Sequence, residues 1–542
     1  MPGDAARIVQ SEVAEVALGV APDDAWAELD VRVTGPDGRE SVVPAFARDG
    51  RWHLRYSSEE LGIHHYTAGD DSGEITVTER ASATTVRERG PIRVAADQRR
   101  FEHADGTPFL WVGDTWWHGF VTGKIDDDEF RDFARQRRDE GFSVVQIVVL
   151  PPEAGAFVDA VRCRAGWAWL EDFAAPNLAW WDDADGRVQD LLDVGIVPCI
   201  VGSWGYHLGW MDDRTIRRHW REMVARWGAY PVTWCLAGEP TMVWYDDMRA
   251  LLDAQDDDGD RGDRLDRIRE IGRTAPQKGR FNTLSRVLRE LDPFHRPTTT
   301  HIIPGEMPWE ILDDVDTLDF WMLQTGHSGH RDLPQAVDMV EQAYARTPTK
   351  PVINGEPSYE GIGGSNWEDI QRIQFWSHLL SGAAGHTYGA HGVWAMNTDE
   401  FPAQYSGAAP TWHEARAFSG ARSVGEGADI LRSLEWWTLT PRSDLVVPRQ
   451  TPEDRFAPYA GELADGTRIV YVPSLAFYSG SVTLRDAGSD PWRVHYVDLG
   501  PARAYPEFVA TPDADGTVDL DLGMLVRPSW GDILVIARPA TS

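Results

Sequence analysis

Cysteine is scarce: three in 542 residues, Cys163, Cys199 and Cys235. An odd number at wide spacing argues against a disulfide framework. Two of the three lie in apolar, strand-like runs, where a buried thiol is expected rather than a metal ligand. Long hydrophobic runs are missing too. No stretch is long and apolar enough to span a bilayer, and the N-terminus, MPGDAARIVQSEVAEV, has no cationic segment leading into an apolar one. The expectation is a cytoplasmic protein with no membrane partner. Basic residues are outnumbered, 52 against 86 acidic, for a formal charge of −34. That argues against nucleic acid as a partner, because a phosphate backbone needs a basic patch. An anionic membrane surface or a strongly acidic polymer is disfavoured on the same ground. What the chain has in excess is tryptophan, 25 residues, whose rings can stack on sugars or fill a core.

The hydrophobic fraction of 42% is that of a soluble globular chain, and the length allows two to four domains. Residues 1–91 read as all-β. Ala27, Leu29, Val31 and Val33 alternate with polar residues, Pro36-Asp37-Gly38 is turn chemistry, and Trp52, Leu54 and Tyr56 repeat the alternation. That is the pattern of a small β-sandwich. His64-His65 is not read as a metal pair, because neighbours on a strand face opposite ways.

From residue 92 the period changes, and apolar runs alternate with amphipathic helices. The expected strands are Phe109–Val112, Phe142–Leu150, Ile196–Val201, the run ending at Glu239, Thr298–Ile303, Leu318–Leu323, the run ending at Glu356, and Ala384–Met396. Between them, Ile216, Trp220, Met223, Val224 and Trp227 mark one clear helix face. About eight strand–helix units within residues 92–440 imply an α/β fold, a (β/α)8 TIM barrel. Residues 441–542 return to short alternating strands, a second β-sandwich. The acidic stretch Asp256–Asp263, DDDGDRGD, fails the EF-hand spacing and reads as a solvated loop or helix start. No metal and no cofactor are expected. The sequence leaves the oligomeric state open.

Two stretches carry the chemistry. PVTWCLAGEP (Pro231–Pro240) and PVINGEPSYE (Pro351–Glu360) each run from an apolar strand through a glycine into a glutamate, Glu239 and Glu356. The C-terminal ends of barrel strands are where such enzymes build active sites. Glycoside hydrolysis needs two carboxylates there: one protonates the departing oxygen while the other attacks the anomeric carbon or activates water. Repulsion and burial keep one of them protonated near neutral pH. An ion pair with a rim arginine is the structural alternative for either glutamate. Two of them, each after a glycine at a strand end, point to catalysis.

Other residues join the candidate substrate-binding set. Asp114 follows the first expected strand, where it either accepts from sugar hydroxyls or caps the next helix. Trp116, Trp117, Trp204 and Trp394 stand at strand ends, where one or two can form a sugar platform. Gln146 lies on the second strand, His301 on the fifth and Gln324 at the end of the sixth. Tyr359, three residues after Glu356, can bond the nucleophile or simply pack. His386, Tyr388 and His391, in HTYGAH, suit hydroxyl-binding or orienting roles better than zinc. A structural role is the default for His301, His327 and His330.

With these residues in view, the chain resembles the apiosidase-like glycoside hydrolases. The matching pieces are FLWVGDTWW at Phe109–Trp117, GFSVVQIVV at Gly141–Val149, CLAGEP at Cys235–Pro240, PVINGEPSYE at Pro351–Glu360 and GHTYGAHGVW at Gly385–Trp394. The resemblance spans all three segments. It implies a (β/α)8 catalytic domain with a β-sandwich before it and a β domain of the collagen-binding type after it. It also implies Glu239 as acid/base and Glu356 as nucleophile of a retaining exo-glycosidase. The implied substrate is a small glycoside or short oligosaccharide carrying a β-furanoside or a branched pentose such as apiose. Two other readings stand beside it. One is a β-glycosidase acting on a hexopyranoside, since barrels change sugar through their loops. The other is a non-catalytic carbohydrate-binding protein, which would not need both glutamates.

Overall fold

The central apolar runs form eight parallel strands in the computed structural model, which describes residues 6–153, 155–243, 276–402, 409–474, 480–500, 503–522 and 531–540. The strands are β1 (Trp111–Trp116), β2 (Val144–Leu150), β3 (Val197–Ser203), β4 (Thr233–Gly238), β5 (Thr298–His301), β6 (Trp321–Gln324), β7 (Val352–Glu356) and β8 (Gly385–Tyr388). They hydrogen-bond in the order β5-β4-β3-β2-β1-β8-β7-β6. β5 meets β6 through the Asp319 N–H to Thr298 O, 2.8 Å, and the Thr299 hydroxyl to Phe320 O, 2.9 Å. The circle is a (β/α)8 barrel. Its longer helices are α1 (Asp127–Asp139), α2 (Leu178–Val194), α3 (Asp213–Trp227), α4 (Pro276–Leu291), α5 (Leu333–Ala345), α6 (Glu368–Leu380) and α7 (Ser419–Arg432). The stretch Asp256–Asp263 lies outside the described residues.

Alternation along each strand sorts the side chains into two layers. Trp111, Val144, Cys199, Cys235, Met322 and Ile353 fill the barrel, whereas Val112, Val145, Ile200, Trp234, Leu323 and Val352 meet the helices. All three cysteines are buried and unpaired. Two strand limits differ from expectation. Phe109 does not begin β1; Pro108–Phe109 pairs instead with Phe101–His103, which pairs with Ile92–Val94. That small antiparallel sheet closes the bottom of the barrel, where Phe101 meets Phe320 edge-on at 5.2 Å. β8 stops at Tyr388, and the remainder of Ala384–Met396 turns away, with Gly392 at φ +105°.

β-sheets flank the barrel at both ends of the chain. Ahead of it, seven strands between Ala6 and Thr78 form one path. Glu40–Arg48 bridges its two halves, pairing with Leu29–Thr34 through residues 40–45 and with Arg51–Tyr56 through residues 46–48. After the barrel, a larger sheet and a three-stranded sheet enclose one core that includes Val470, Leu484, Val494, Leu520 and Val535. Among the described residues, no helix is long and apolar enough to cross a membrane.

Candidate active site

Both glutamates reach the barrel mouth through a break in strand register. β6 and β7 stay in step from Trp321–Val352 to Leu323–Asn354; then β7 carries one extra residue, Gly355, and Gln324 pairs with Glu356. Alternation alone would send Glu356 the way of Val352 and Asn354, toward the helices. The bulge re-aims it inward. β4 does the same against β5: Cys235 pairs with Thr299, and then Gly238 pairs with His301, again one residue extra. Glu239 follows at φ +49°, a left-handed conformation that costs a residue with a side chain roughly 1–3 kcal/mol. The glycine before each glutamate has a steric cause. A Cβ on Gly355 would lie 2.4 Å from Met322 Cγ, and one on Gly238 would lie 2.3 Å from the Trp204 ring.

The two carboxylates meet at a single amide. Gln324 Nε2 donates to Glu239 Oε1 at 3.1 Å and to Glu356 Oε1 at 3.0 Å. From there their surroundings diverge. Glu239 is 7% exposed and accepts one further bond, from Trp204 Nε1 at 3.1 Å. Burial first, and then the charge of Glu356, push its pKa up to about 7. Glu356 is 4% exposed, and burial alone would raise it as well. Two imidazoles override that. His301 Nε2 lies 2.9 Å from Oε2, out of line for a good hydrogen bond, and His327 Nε2 lies 2.9 Å from Oε1. Together they hold Glu356 down at about 2. The Tyr359 N–H points at His327 Nδ1 from 3.4 Å. That contact leaves Nε2 as the nitrogen turned to Glu356.

Aromatic rings wall the pair. Trp117 meets Trp204 at 5.5 Å and His301 at 5.3 Å, both edge-on. Trp117 Nε1 also donates to the Tyr359 hydroxyl at 3.0 Å. The Tyr359 ring lies 4.5 Å from His327 and stacks toward the half-buried Trp394 at 6.4 Å. Burial, and then the charge of Glu356, keep the phenol protonated. The structure therefore gathers Glu239, Glu356, Trp117, Trp204, His301, Gln324, Tyr359 and Trp394. His327, read from the sequence as structural, stands in the same group. Its spacing three residues after Gln324 was the available signal.

Five expected site residues are placed elsewhere. Asp114 and Trp116 lie within β1 rather than after it, and alternation turns both outward. The Asp114 carboxylate takes bonds from Arg137 Nε (2.6 Å) and Trp116 Nε1 (2.8 Å), so it neither faces a sugar nor caps a helix. The Trp116 ring stacks on Phe133 of α1 at 4.4 Å. His386 and Tyr388 point outward from β8 for the same reason. His386 packs on Phe375 and His378 of α6. The Tyr388 hydroxyl donates at 2.6 Å to Glu360, a buried acid that also accepts from the Gly420 N–H at the start of α7. Gln146 does point inward, but its Nε2 is committed to the Gly355 carbonyl at 2.8 Å. That bond braces the bulge, while its Oε1 has no partner among the described residues. Among the described residues, no group of three His, Cys, Asp or Glu side chains is arranged to hold a metal ion.

Comparison with known proteins bears on this arrangement. Residues 95–438 match the family model described as "Apiosidase-like, catalytic domain". No curated protein matches the chain. Among solved structures, a glycoside hydrolase family 5 protein from Bacteroides vulgatus aligns with TM-score 0.66 at 18% identity, over 85% of this chain and 96% of its own. A structure described as a glycoside hydrolase aligns with TM-score 0.65 at 18% identity, over 85% and 99%. A further Bacteroides vulgatus structure aligns over 98% of this chain and 100% of its own, with TM-score 0.67 at 14% identity. At such identities the likeness carries the fold. The family match covers more than half of the chain, all eight strands and both glutamates, and so the chain belongs to the apiosidase-like family and is a glycosidase.

Proposed function

We propose that the chain is a retaining exo-glycosidase that removes one terminal sugar from a small glycoside or short oligosaccharide. The family match supports a β-furanoside or branched pentose of the apiose kind as that sugar. The barrel, residues 92–440, carries the chemistry between the flanking segments 1–91 and 441–542. Three unpaired thiols suit a reducing cytoplasm as its location.

The observation that carries the mechanism is the shared amide. Two Oε1 atoms that both bond Gln324 Nε2, at 3.1 and 3.0 Å, are closer together than the ~6.5 Å at which inverting pairs begin. That spacing supports direct attack rather than a water held between sugar and base. Glu356, ionised, attacks the anomeric carbon as the glycosidic bond breaks, and Glu239 gives its proton to the departing oxygen. In the second half Glu239 takes a proton from water, which displaces Glu356 from the glycosyl-enzyme ester with a second inversion. The environments match these roles: donors crowd the nucleophile, and burial keeps the acid protonated. Near-complete burial of both carboxylates suits a pocket for one sugar rather than an open groove.

The test is the anomeric configuration of the first product. With methanol as acceptor, NMR of the methyl glycoside formed from an aryl glycoside should show retained configuration. An inverted product would make Glu356 a general base instead. A panel of aryl furanosides and pyranosides, read by released chromophore, tests the sugar assignment.

A further inference from the structure

We infer that Gln324 is a positioning residue that fixes the separation of Glu239 and Glu356 and lowers the proton affinity of both together. The inference rests on the two-glutamate mechanism proposed above. A side-chain amide nitrogen has two hydrogens, and here each has its own carboxylate, at 3.1 and 3.0 Å. The residue is held from several sides. It is buried at 2% exposure, the register break sets it level with Glu356, and its backbone carbonyl accepts from the Gly305 N–H at 3.1 Å. Its Oε1 is buried with no partner among the described residues. The carboxyl groups therefore determine which way the amide faces, because a flipped amide would set an acceptor against the ionised Glu356. Each of the other polar groups named here makes its close contact with one acid, although His301 also lowers the Glu239 pKa from farther off. Trp204 donates to Glu239, while His301 and His327 contact Glu356. Gln324 joins the two.

A donor to a carboxylate favours its charged form, so losing the donor raises that carboxylate's pKa. Losing a donor shared by both acids should move both titrations in the same direction. That signature separates a bridging residue from a substrate ligand and from simple filling.

The experiment compares full-length wild type with Gln324→Leu and Gln324→Met, which keep bulk and delete the donor. The measured quantity is kcat/KM for an aryl glycoside across pH, with initial rates taken after brief pH jumps so that the acid side is read before unfolding. Both limbs of the profile should move up by about one pH unit, with kcat falling more than KM changes. Trp204→Phe, as a one-sided control, should move the alkaline limb alone, and His327→Gln the acid limb alone. A rise in KM with both limbs in place would overturn the inference, as would a fall in activity that tracks melting temperature with unmoved limbs.

A second measurement needs no change at position 324. In 15N-glutamine-labelled wild type, the Gln324 side-chain amide should follow two titrations, one of which disappears in Glu239→Gln and the other in Glu356→Gln. An amide that follows one or neither would sink the idea. This readout needs no turnover, so it stands apart from the mechanism itself, which fails if Glu356→Ala retains glycosidase activity.

Discussion

At the scale of single residues, the site is two identical side chains made unequal by their neighbours. Glu239 has one indole and one amide hydrogen as donors and is pushed up to about 7; Glu356 has the same amide and two imidazoles and is held at about 2. In the proposed mechanism the acid must carry its proton and the nucleophile must be ionised, so the signs of the pH dependence follow. kcat/KM should fall as pH rises through about 7 and hold its plateau well into the acid range, failing only toward about 2. A profile that rises through neutrality would reverse the two assignments. Glu356→Ala should lose on the order of 10⁴-fold or more in kcat, because covalent attack has no substitute. Glu239→Ala should keep the first step on aryl glycosides whose leaving group needs no proton, and added azide should restore turnover as a glycosyl azide of retained configuration. Both glutamates were legible in the sequence, because each ends an apolar run after a glycine. The role of His327 was not, because its value lies in a contact with Glu356, 29 positions away.

At the scale of the strand, alternation is the rule that sequence reading relies on, and it worked where the strands are regular. In the structure it puts Trp111 and Val112, and likewise Ile353 and Val352, in opposite layers. It could also have placed Asp114, Trp116, His386 and Tyr388 on the helix side, had the limits of β1 and β8 been known. Ending β1 at Val112 instead of Trp116 hid this for Asp114 and Trp116, which then read as loop residues rather than strand positions. At β4 and β7 alternation fails, for a physical reason: each strand carries an extra residue against its neighbour, and single-strand periodicity contains no information about pairing. Gly238→Ala and Gly355→Ala test whether those bulges matter. A methyl group at 238 must displace the Trp204 ring, which donates to Glu239, and one at 355 must displace Met322. Overpacking of this kind costs about 1–3 kcal/mol. Each variant should therefore keep a folded barrel by circular dichroism while kcat/KM drops at least ~10-fold. Wild-type kinetics in either variant would show that the glycine is dispensable.

At the scale of the whole molecule, the N-terminal sheet is tied to the barrel by buried charge. Arg55 reaches from it to Asp185 of α2, with contacts of 2.7 and 2.5 Å, and Arg55 Nη1 also donates to the Arg226 carbonyl of α3 at 2.7 Å. Behind this contact, Glu222 sits between Arg218 and Arg226 and is 1% exposed. Burial would raise its pKa, but the charges of Arg218 and then Arg226 outweigh that and lower it. A depressed carboxylate contributes stability that is full above its unfolded value of ~4.3 and is lost as pH falls through the folded one. This network should therefore weaken below about pH 4. The coupling follows from the same contacts. Arg55→Ala leaves Asp185 buried beside Trp227 Nε1 (2.8 Å), with Arg48 a more distant 3.7 Å away. Breaking such a pair costs about 3–5 kcal/mol. Asp185→Asn in the same chain removes the stranded charge and should recover part of the loss, which a double-mutant cycle read by urea unfolding would measure. Protease resistance gives a second check. If residues 1–91 are docked as these contacts imply, wild type should resist cleavage near residue 90, and Arg55→Ala should be cut there faster. Rapid release of residues 1–91 from wild type, with the barrel intact and active, would mean that the buried arginine does not hold the two parts together.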